Sequence, residues 1–107
     1  MPINSKQKGK DGELELCHKL KEYGFEAQRS QQYCGAAGDA DVLGLPGIHI
    51  ECKRVEALNL DGAFEQAVSD ANEGDIPAVF HRKNRKPWKV TLSLDNFMML
   101  YKAWAGD

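Results

Sequence analysis

Alternating apolar and polar positions predict a β-hairpin in the middle of the chain. In a predicted strand over residues 48–55, the apolar residues Ile48, Ile50 and Cys52 alternate with polar ones, and residues 42–45 form a shorter, mostly apolar run. Between the two runs, Pro46 and Gly47 supply the fixed φ and the positive φ that a type II turn requires. The alternation also sends Glu51 and Lys53 to the same face of the second strand, with their Cα atoms about 6.5 Å apart.

Further patterns predict three helices and three more strands around this hairpin. Helical spacing of apolar residues predicts helices over residues 11–23, 60–72 and 93–104, the last beginning at either Ser93 or Asp95. Residues 25–30 are predicted as the first strand. Residues 77–81 and 88–92 are predicted as a second hairpin with a basic connection. We therefore predict one α/β domain over residues 1–107, with a mixed central sheet of about five strands and a flexible basic arm over residues 1–8.

Each predicted helix raises a question about the face that it buries. In the first, Glu13 falls within the apolar stripe, so it either serves a site or only interacts favourably with the helix dipole. The predicted stripe of the second consists of Leu60, Phe64, Ala67, Val68 and Ala71, with Gln66 on the opposite side. The third carries apolar residues around almost its full circumference, which suits either a subunit interface or a deeply inserted helix.

Composition and cysteine usage narrow the class of protein. With 107 residues, 42% hydrophobic and 28% charged, the chain is typical of a soluble globular domain. Its three cysteines are widely spaced and form no C-x-x-C pair, which argues against a disulfide framework or a zinc site. No stretch has the length and apolar character of a signal peptide or a membrane span. We expect a reduced cytoplasmic setting and no membrane partner.

Charge is segregated along the chain although the net charge is only -2. Residues 76–90 and the first ten residues contain bases and few or no acids, whereas residues 56–75 contain acids and no base. Such segregation predicts one basic and one acidic face, and a basic face can hold a polyanion. An ordinary solvated loop is the alternative interpretation of the basic run. The residues that we predict to contact DNA are Lys10, Arg29, Arg54, Arg82, Lys83, Arg85 and Lys86.

The chemistry of the first hairpin favours metal-dependent cleavage of a phosphodiester. Mg²⁺ prefers one or two carboxylates and completes its shell with waters and substrate phosphate, a need that Asp41 and Glu51 fit. A nearby ammonium, here Lys53, can orient the attacking water and offset developing charge. The alternative is a surface hairpin with an ordinary charged face, because a Glu-x-Lys triplet alone is weak evidence.

Three segments resemble the PD-(D/E)XK nuclease superfamily, and most of all its archaeal-type Holliday junction resolvases and their phage-encoded relatives. They are Gly9-Lys10-Asp11-Gly12-Glu13-Leu14-Glu15-Leu16, Gly38-Asp39-Ala40-Asp41-Val42 and Ile50-Glu51-Cys52-Lys53. The resemblance implies a restriction-endonuclease-like core and a homodimeric Mg²⁺-dependent endonuclease, with Mn²⁺ able to substitute. It implies metal ligation by Asp41 and Glu51, a supporting acid and third ligand at Glu13, and handling of water or phosphate by Lys53.

The chain departs from the family pattern at several positions. Ala40 replaces the proline that gives the motif its first letter, a position that only biases the backbone toward an extended form. Cys34 stands before Gly35 where such resolvases often carry a serine, which leaves any catalytic serine in doubt, although Ser30 is nearby. Asp39 is either a second carboxylate of the site or a turn residue.

These observations lead to a ranked set of functions. The first is a metal-dependent DNA endonuclease, most specifically one that resolves four-way junctions. Alternatives are another structure-specific, nicking, repair or restriction-like nuclease, or a DNA-binding module of the same fold without catalysis. A plain interaction domain is favoured only if the basic loop proves unimportant.

Overall fold

A mixed sheet flanked by helices forms the body of the protein in the computed structural model, which describes residues 5–30 and 40–106. The elements in chain order are α1 Ser5–Glu22, β1 Gln28–Arg29, β2 Val42–Leu43, β3 Ile48–Arg54, α2 Leu60–Asp70, β4 Ile76–Arg82, β5 Lys89–Thr91 and α3 Leu94–Ala105. The strands lie in the order β1-β2-β3-β4-β5, with β3 and β4 parallel and the other pairs antiparallel. This architecture confirms the predicted α/β fold with its five-stranded mixed sheet.

The hairpin of β2 and β3 forms as the sequence predicts. Val42 lies opposite Ile50, and the backbone N–H of Ile48 donates to the carbonyl of Leu45 at 3.0 Å. Gly47 sits at φ 89°, in the region that a type II turn needs at its third residue. The second predicted hairpin also forms, as the antiparallel pair β4 and β5.

Helices cover both faces of the central strands, which corrects one expectation about β3. On one face α1 packs over Ile50, Cys52 and Phe80, and on the other α2 packs Ala63 and Ala67 against Val79. The predicted polar face of β3 is therefore not a surface, because α2 covers it. His49 and Glu51 on that face are only 2% and 6% exposed.

The first helix begins earlier than predicted and lies very close to the sheet. It starts at Ser5 rather than residue 11, so residues 5–8 of the predicted flexible arm are helical, while residues 1–4 lie outside the described residues. A Cβ on Gly12 would lie 2.5 Å from the Cβ of Arg54. Gly12 is therefore needed for close approach to β3, which places the next residue, Glu13, near the site.

The other two helices also depart from the predicted faces. In α2, Leu60, Phe64 and Ala67 of the predicted stripe do pack in the core, but Val68 is 51% exposed and Ala63, which was not predicted, is buried. Small side chains let this helix lie close to the sheet, which turns Ala63 inward. In α3, Ser93 is the N-cap, its Oγ accepting from the N–H of Asn96, and no residue of the helix is buried. The deeply inserted helix was therefore the wrong alternative.

Two further features of the fold are the state of two cysteines and the apolar character of the helices. Cys17 and Cys52 are free thiols buried in the core, and burial raises the pKa of both. Cys34 lies outside the described residues. Within residues 5–30 and 40–106, no helix combines the length and the apolar character that a bilayer span requires.

Candidate active site

Asp41 is anchored beside β3 by its backbone and its side chain together. Its N–H donates to the carbonyl of Ile50 at 2.9 Å, and its Oδ2 accepts from the N–H of Cys52 at 2.8 Å. Its own carbonyl accepts from the N–H of Ser30 at 3.0 Å. The two bonds to β3 lie on either side of Glu51, so the fold holds the two acids next to each other.

Glu51 lies between a histidine and a lysine on one face of β3. Its Oε1 is 3.6 Å from Nε2 of His49, and its Oε2 is 3.9 Å from Nζ of Lys53. Because side chains two residues apart in a strand point to the same side, this clustering follows directly from the extended backbone. The predicted pairing of Glu51 with Lys53 on one face is thus observed.

Burial and mutual repulsion disfavour the charged forms of these acids. Burial raises the pKa of Glu51 to about 7, with a further contribution from the charge of Asp41. Burial likewise raises the pKa of Asp41, against the opposing effects of the Cys52 N–H and the Lys53 ammonium. Two crowded carboxylates that resist ionisation form a site that a cation would stabilise.

Glu13 reaches the same region from α1. Its Oε1 accepts from Nε of Arg29 at 2.8 Å, and its charge contributes to raising the pKa of Glu51. Burial raises the pKa of Glu13, partly offset by the hydrogen bond from Arg29. Of the four residues predicted as catalytic, the structure therefore places Asp41, Glu51 and Lys53 side by side, and places Glu13 near enough to interact with them electrostatically.

Two further neighbours of the site, Asp70 and His49, were not among the predicted site residues. Asp70 on α2 is close enough that its charge raises the pKa of both Asp41 and Glu51, and its Oδ2 accepts from Nε2 of Gln66 at 2.7 Å. The signal for Asp70 was available, since it follows the buried Ala67 by three positions on one helical face. His49 is the second, with a buried Nε2 that has no hydrogen-bond partner among the described residues.

A shallow cavity of about 350 Å³ opens beside Lys53. Gln66, Asn59, Gly62 and Ala63 contribute to its lining, together with the segment that follows β3. Gln66 was predicted to lie opposite the apolar stripe of α2, and its part in the site was left open. In the structure Gln66 and Lys53 line the same cavity.

The predicted DNA-contacting residues fall into two groups. The first group is held in ion pairs. Arg29 pairs with Glu13, Arg54 pairs with Glu15 and Glu56, and Arg82 also pairs with Glu15. The second group is exposed and consists of Lys10, Lys83, Arg85 and Lys86. Three of its members lie in the β4–β5 loop, next to the end of β3 from which Lys53 projects.

That loop has a defined turn rather than an open coil. The N–H of Lys86 donates to the carbonyl of Lys83 at 3.2 Å, Arg85 adopts φ 62°, and the N–H of Asn84 donates to Oε2 of Glu56 at 2.7 Å. The side chains of Lys83, Arg85 and Lys86 thus start from a positioned backbone. Their role in DNA binding stays a prediction.

Asp41 and Glu51 are the candidate ligands for the Mg²⁺ ion that the family resemblance implies. No group of three or more His, Cys, Asp or Glu side chains in residues 5–30 and 40–106 converges as a metal cage. Asp41 and Glu51 instead provide two hard oxygen donors in a crowded, partly dehydrated position, and Mg²⁺ is typically bound by one or two carboxylates plus waters. The residues present therefore fit a two-carboxylate Mg²⁺ site. Asp39, left open as a further carboxylate, lies outside the described residues.

Comparison with known proteins identifies the family. Residues 4–106 match the family model described as "Phage putative PDDEXK endonuclease". The chain belongs to this phage PD-(D/E)XK family. Among solved structures, it is similar to Hjc from Archaeoglobus fulgidus, a Holliday junction resolvase of an archaeal hyperthermophile, with a TM-score of 0.61. The two are 26% identical over 79% of this chain and 72% of that chain. No curated protein sequence matches the chain.

Family membership confirms the resemblance drawn from the three motif segments. The similarity to Hjc confirms the restriction-endonuclease-like core, and the phage PD-(D/E)XK family is one of nucleases. Membership also explains why a domain of this size crowds acids beside its central strand.

Proposed function

We propose that this protein is a Mg²⁺-dependent DNA endonuclease that hydrolyses phosphodiester bonds in branched DNA, most specifically in four-way junctions. The observation that carries the proposal is the pair Asp41 and Glu51 held side by side on neighbouring strands, with the Lys53 amine 3.9 Å from Glu51. The similarity to an archaeal Holliday junction resolvase supports the choice of substrate.

Each residue of the site then has a role that its position supports. Asp41 and Glu51 would hold the divalent ion, Mg²⁺ or in its place Mn²⁺, with Glu13 as a third, supporting acid. When bound, the ion would polarise the phosphoryl oxygen and lower the pKa of a water. Lys53 would orient that water and offset negative charge on the phosphate.

The protein would work as a homodimer in the cytoplasm of a bacterium or a phage-infected cell. A junction presents two equivalent strands to be cut, and a two-fold dimer presents two equivalent sites. The exposed bases near Lys53 would hold the phosphate backbone, because such contacts position DNA without reading its sequence.

A substrate panel tests the proposal. A labelled four-way junction, a duplex of the same sequence and a single strand are each incubated with the protein and Mg²⁺, and in parallel with chelator. We expect cleavage of the junction that requires Mg²⁺ and exceeds cleavage of the duplex. Equal cutting of duplex and junction would favour a nicking or restriction-like enzyme. Binding without cleavage under all metal conditions would favour a non-catalytic DNA-binding module.

A further inference from the structure

The last helix exposes apolar side chains that no described residue covers. Trp104 is 82% exposed and Leu94 73% exposed, and Phe97, Leu100 and Tyr101 are each between 45% and 50% exposed. Exposed apolar residues that occur singly need no explanation, but a contiguous set marks an interaction site. Ser93 caps the helix, but a helix of 12 residues gains most of its stability from packing its apolar face.

Helix geometry gathers these side chains onto one face. At about 100° per residue, Leu94, Phe97, Leu100, Tyr101 and Trp104 fall within an arc of roughly 120°. The rings of Phe97 and Tyr101 stack with centroids 6.4 Å apart, and those of Tyr101 and Trp104 lie 5.8 Å apart. Among the large apolar residues only Met99 lies well outside this face. The α3 face is therefore a preformed aromatic ridge, not the all-round apolar surface that the sequence suggested.

A groove on the body of the protein has matching character. It measures about 830 Å³ and runs between α1 and the β4–β5 hairpin. Its apolar wall is formed by Leu16, Leu20, Tyr23, Phe80, Trp88 and Val90. We call it the α1–β5 groove. It lies on the sheet face opposite α2, and so away from Glu51 and Lys53.

Charges at the α1–β5 groove are already paired within the chain. Glu15 forms an ion pair with Arg82, and Lys19 lies 3.8 Å from Glu22. An apolar helix that docks in the groove would therefore not bury an unpaired charge. Burial of an unpaired charge is the free-energy cost that most disfavours such docking. The α3 helix fits this requirement, since its charges, Asp95 and Lys102, fall on the side away from the ridge.

The connection to α3 explains why the helix does not fill the groove of its own chain. Only Leu92 and Ser93 separate β5 from α3, and Leu92 packs against the core. Ser93 is extended, at φ -70° and ψ 154°, and its side chain caps the helix. Because Leu92 and Ser93 are both fixed in these positions, α3 projects away from the sheet, and no α3 residue lines the groove.

We propose that α3 of one copy lies in the α1–β5 groove of a second copy, and that the exchange is reciprocal. This rests on the homodimer of the proposed function and specifies its contact. A two-fold axis makes the two contacts equivalent and closes the assembly, so neither ridge nor groove is left for a third copy.

The available area suits a stable dimer. With about 200 Å² for each aromatic side chain, Phe97, Tyr101 and Trp104 expose about 350 Å² between them. One partner of a standard interface contributes about 800 Å². The ridge aromatics supply nearly half of that, and the remaining α3 residues and the groove wall supply the rest.

The test compares three single substitutions by sedimentation velocity at micromolar concentration. Phe97→Glu alters the ridge and Val90→Glu alters the groove. Val68→Glu is the matched control, because Val68 lies on α2 and is 51% exposed, against 49% for Val90. Circular dichroism of each variant confirms that it is folded. We expect a dimeric parent, a dimeric Val68→Glu control, and at least a tenfold weaker dimer for each of the other two.

Mixing the two defective variants gives a second, independent readout. The intact helix of Val90→Glu can dock in the intact groove of Phe97→Glu, so an equimolar mixture should form more dimer than either variant alone. Pairing of α3 against α3 would leave Val90→Glu as dimeric as the parent, and that result would overturn the proposal. So would a parent that is monomeric at these concentrations.

Failure here is distinguishable from failure of the proposed function. Junction cleavage by the parent is measured on the same preparation. A monomer that cleaves junctions would reject the docking and leave the nuclease. A dimer with the expected pattern of variants that cleaves no DNA would reject the nuclease and leave the docking.

Discussion

Strand β3 and helix α3 break the usual relation between polarity and burial in opposite directions. In β3, Glu51 is 6% exposed and His49 is 2% exposed, although ionisable side chains are seldom buried. In α3, Trp104 is 82% exposed, although large apolar side chains contribute most to stability when they are covered. Neither arrangement helps one copy of the chain to fold. We interpret the contrast as β3 serving chemistry and α3 serving association, in line with the two proposals made above.

The two regions differ because of where the fold places them. The central strand β3 is paired on both edges and covered by α1 and α2, so any polar residue on it is forced into a dehydrated position. Helix α3 follows an edge strand through two residues, and none of its residues is buried by the part of the chain that the structure describes. Burial in β3 is thus a consequence of topology, and exposure in α3 is too.

The largest expected effect follows from removing one charge from the Asp41–Glu51 pair. Asp41→Asn should lower junction cleavage at least about a thousandfold, because a lost metal ligand removes several kcal/mol of transition-state stabilisation. Single-turnover assays with Mg²⁺ measure the loss, and gel-shift assays should show nearly unchanged DNA binding. Lys53→Ala should also be severely impaired yet still bind Mg²⁺. Full activity of Asp41→Asn would break the assignment of β3 to chemistry.

A second prediction concerns the buried carboxylate of Glu51, whose negative charge lowers the free energy of unfolding. The pKa of Glu51 is raised by burial to about 7 in the folded state, above its ordinary value of 4.5, so the folded state binds the extra proton between these two values. The free energy of unfolding therefore falls as pH rises through this window, and the full deficit remains above it. In Glu51→Gln the charge is absent, which should make the variant more stable than the parent by about 3 kcal/mol at pH 8.

Denaturant unfolding with chelator present measures this difference at pH 8 and at pH 4, where it should vanish. Glu65→Gln on the exposed face of α2 is the control and should change little at either pH. Adding Mg²⁺ should stabilise the parent more than Glu51→Gln, because a ligand stabilises the state that binds it. A Glu51→Gln protein that is less stable than the parent at pH 8 would show that the buried carboxylate supports the fold.

Local signals made the β2–β3 hairpin predictable from sequence. Pro46 and Gly47 define the turn by their own backbone preferences, and the alternation in β3 assigns faces without reference to the rest of the chain. The start of α1 was misplaced because the polar, basic residues at the beginning of the chain were interpreted as a flexible arm, whereas the helix begins at Ser5. Gly12 is in fact tolerated within α1 for the close approach to Arg54 that its missing side chain allows.

The burial of polar residues on β3 and the partners of the arginines depend on long-range packing, so they could not be predicted from the sequence. That α2 would cover His49 and Glu51 depends on which face of the sheet it crosses, and hydrophobic spacing does not specify this. The partners of Arg82 and Arg54 are distant in sequence, since the contact of Arg82 with Glu15 spans 67 positions. A basic residue read as free to contact DNA can therefore be paired in the fold. Asp70 was similarly read as part of a solvated acidic face.

The smallest expected effect concerns the exposed bases, which would hold DNA while β3 acts on it. In Arg85→Ala with Lys86→Ala, each lost phosphate contact should flatten the salt dependence of duplex binding by about 0.9 in log-log slope, so by about 1.8 for both. Junction and duplex affinity should fall by similar factors at low salt, because phosphate contacts carry no sequence information. Mg²⁺ affinity should not change.

Removing two other exposed lysines, Lys21 and Lys102, provides the matched control for the loss of two charges. Fluorescence anisotropy over a series of salt concentrations measures both slopes. Because Lys21 and Lys102 lie on α1 and α3, away from the end of β3, their removal should leave the slope nearly unchanged. If both double variants behaved alike, the β4–β5 loop would be only a solvated turn. The DNA-holding surface would then have to be sought around Lys10 and the N-terminal half of α1.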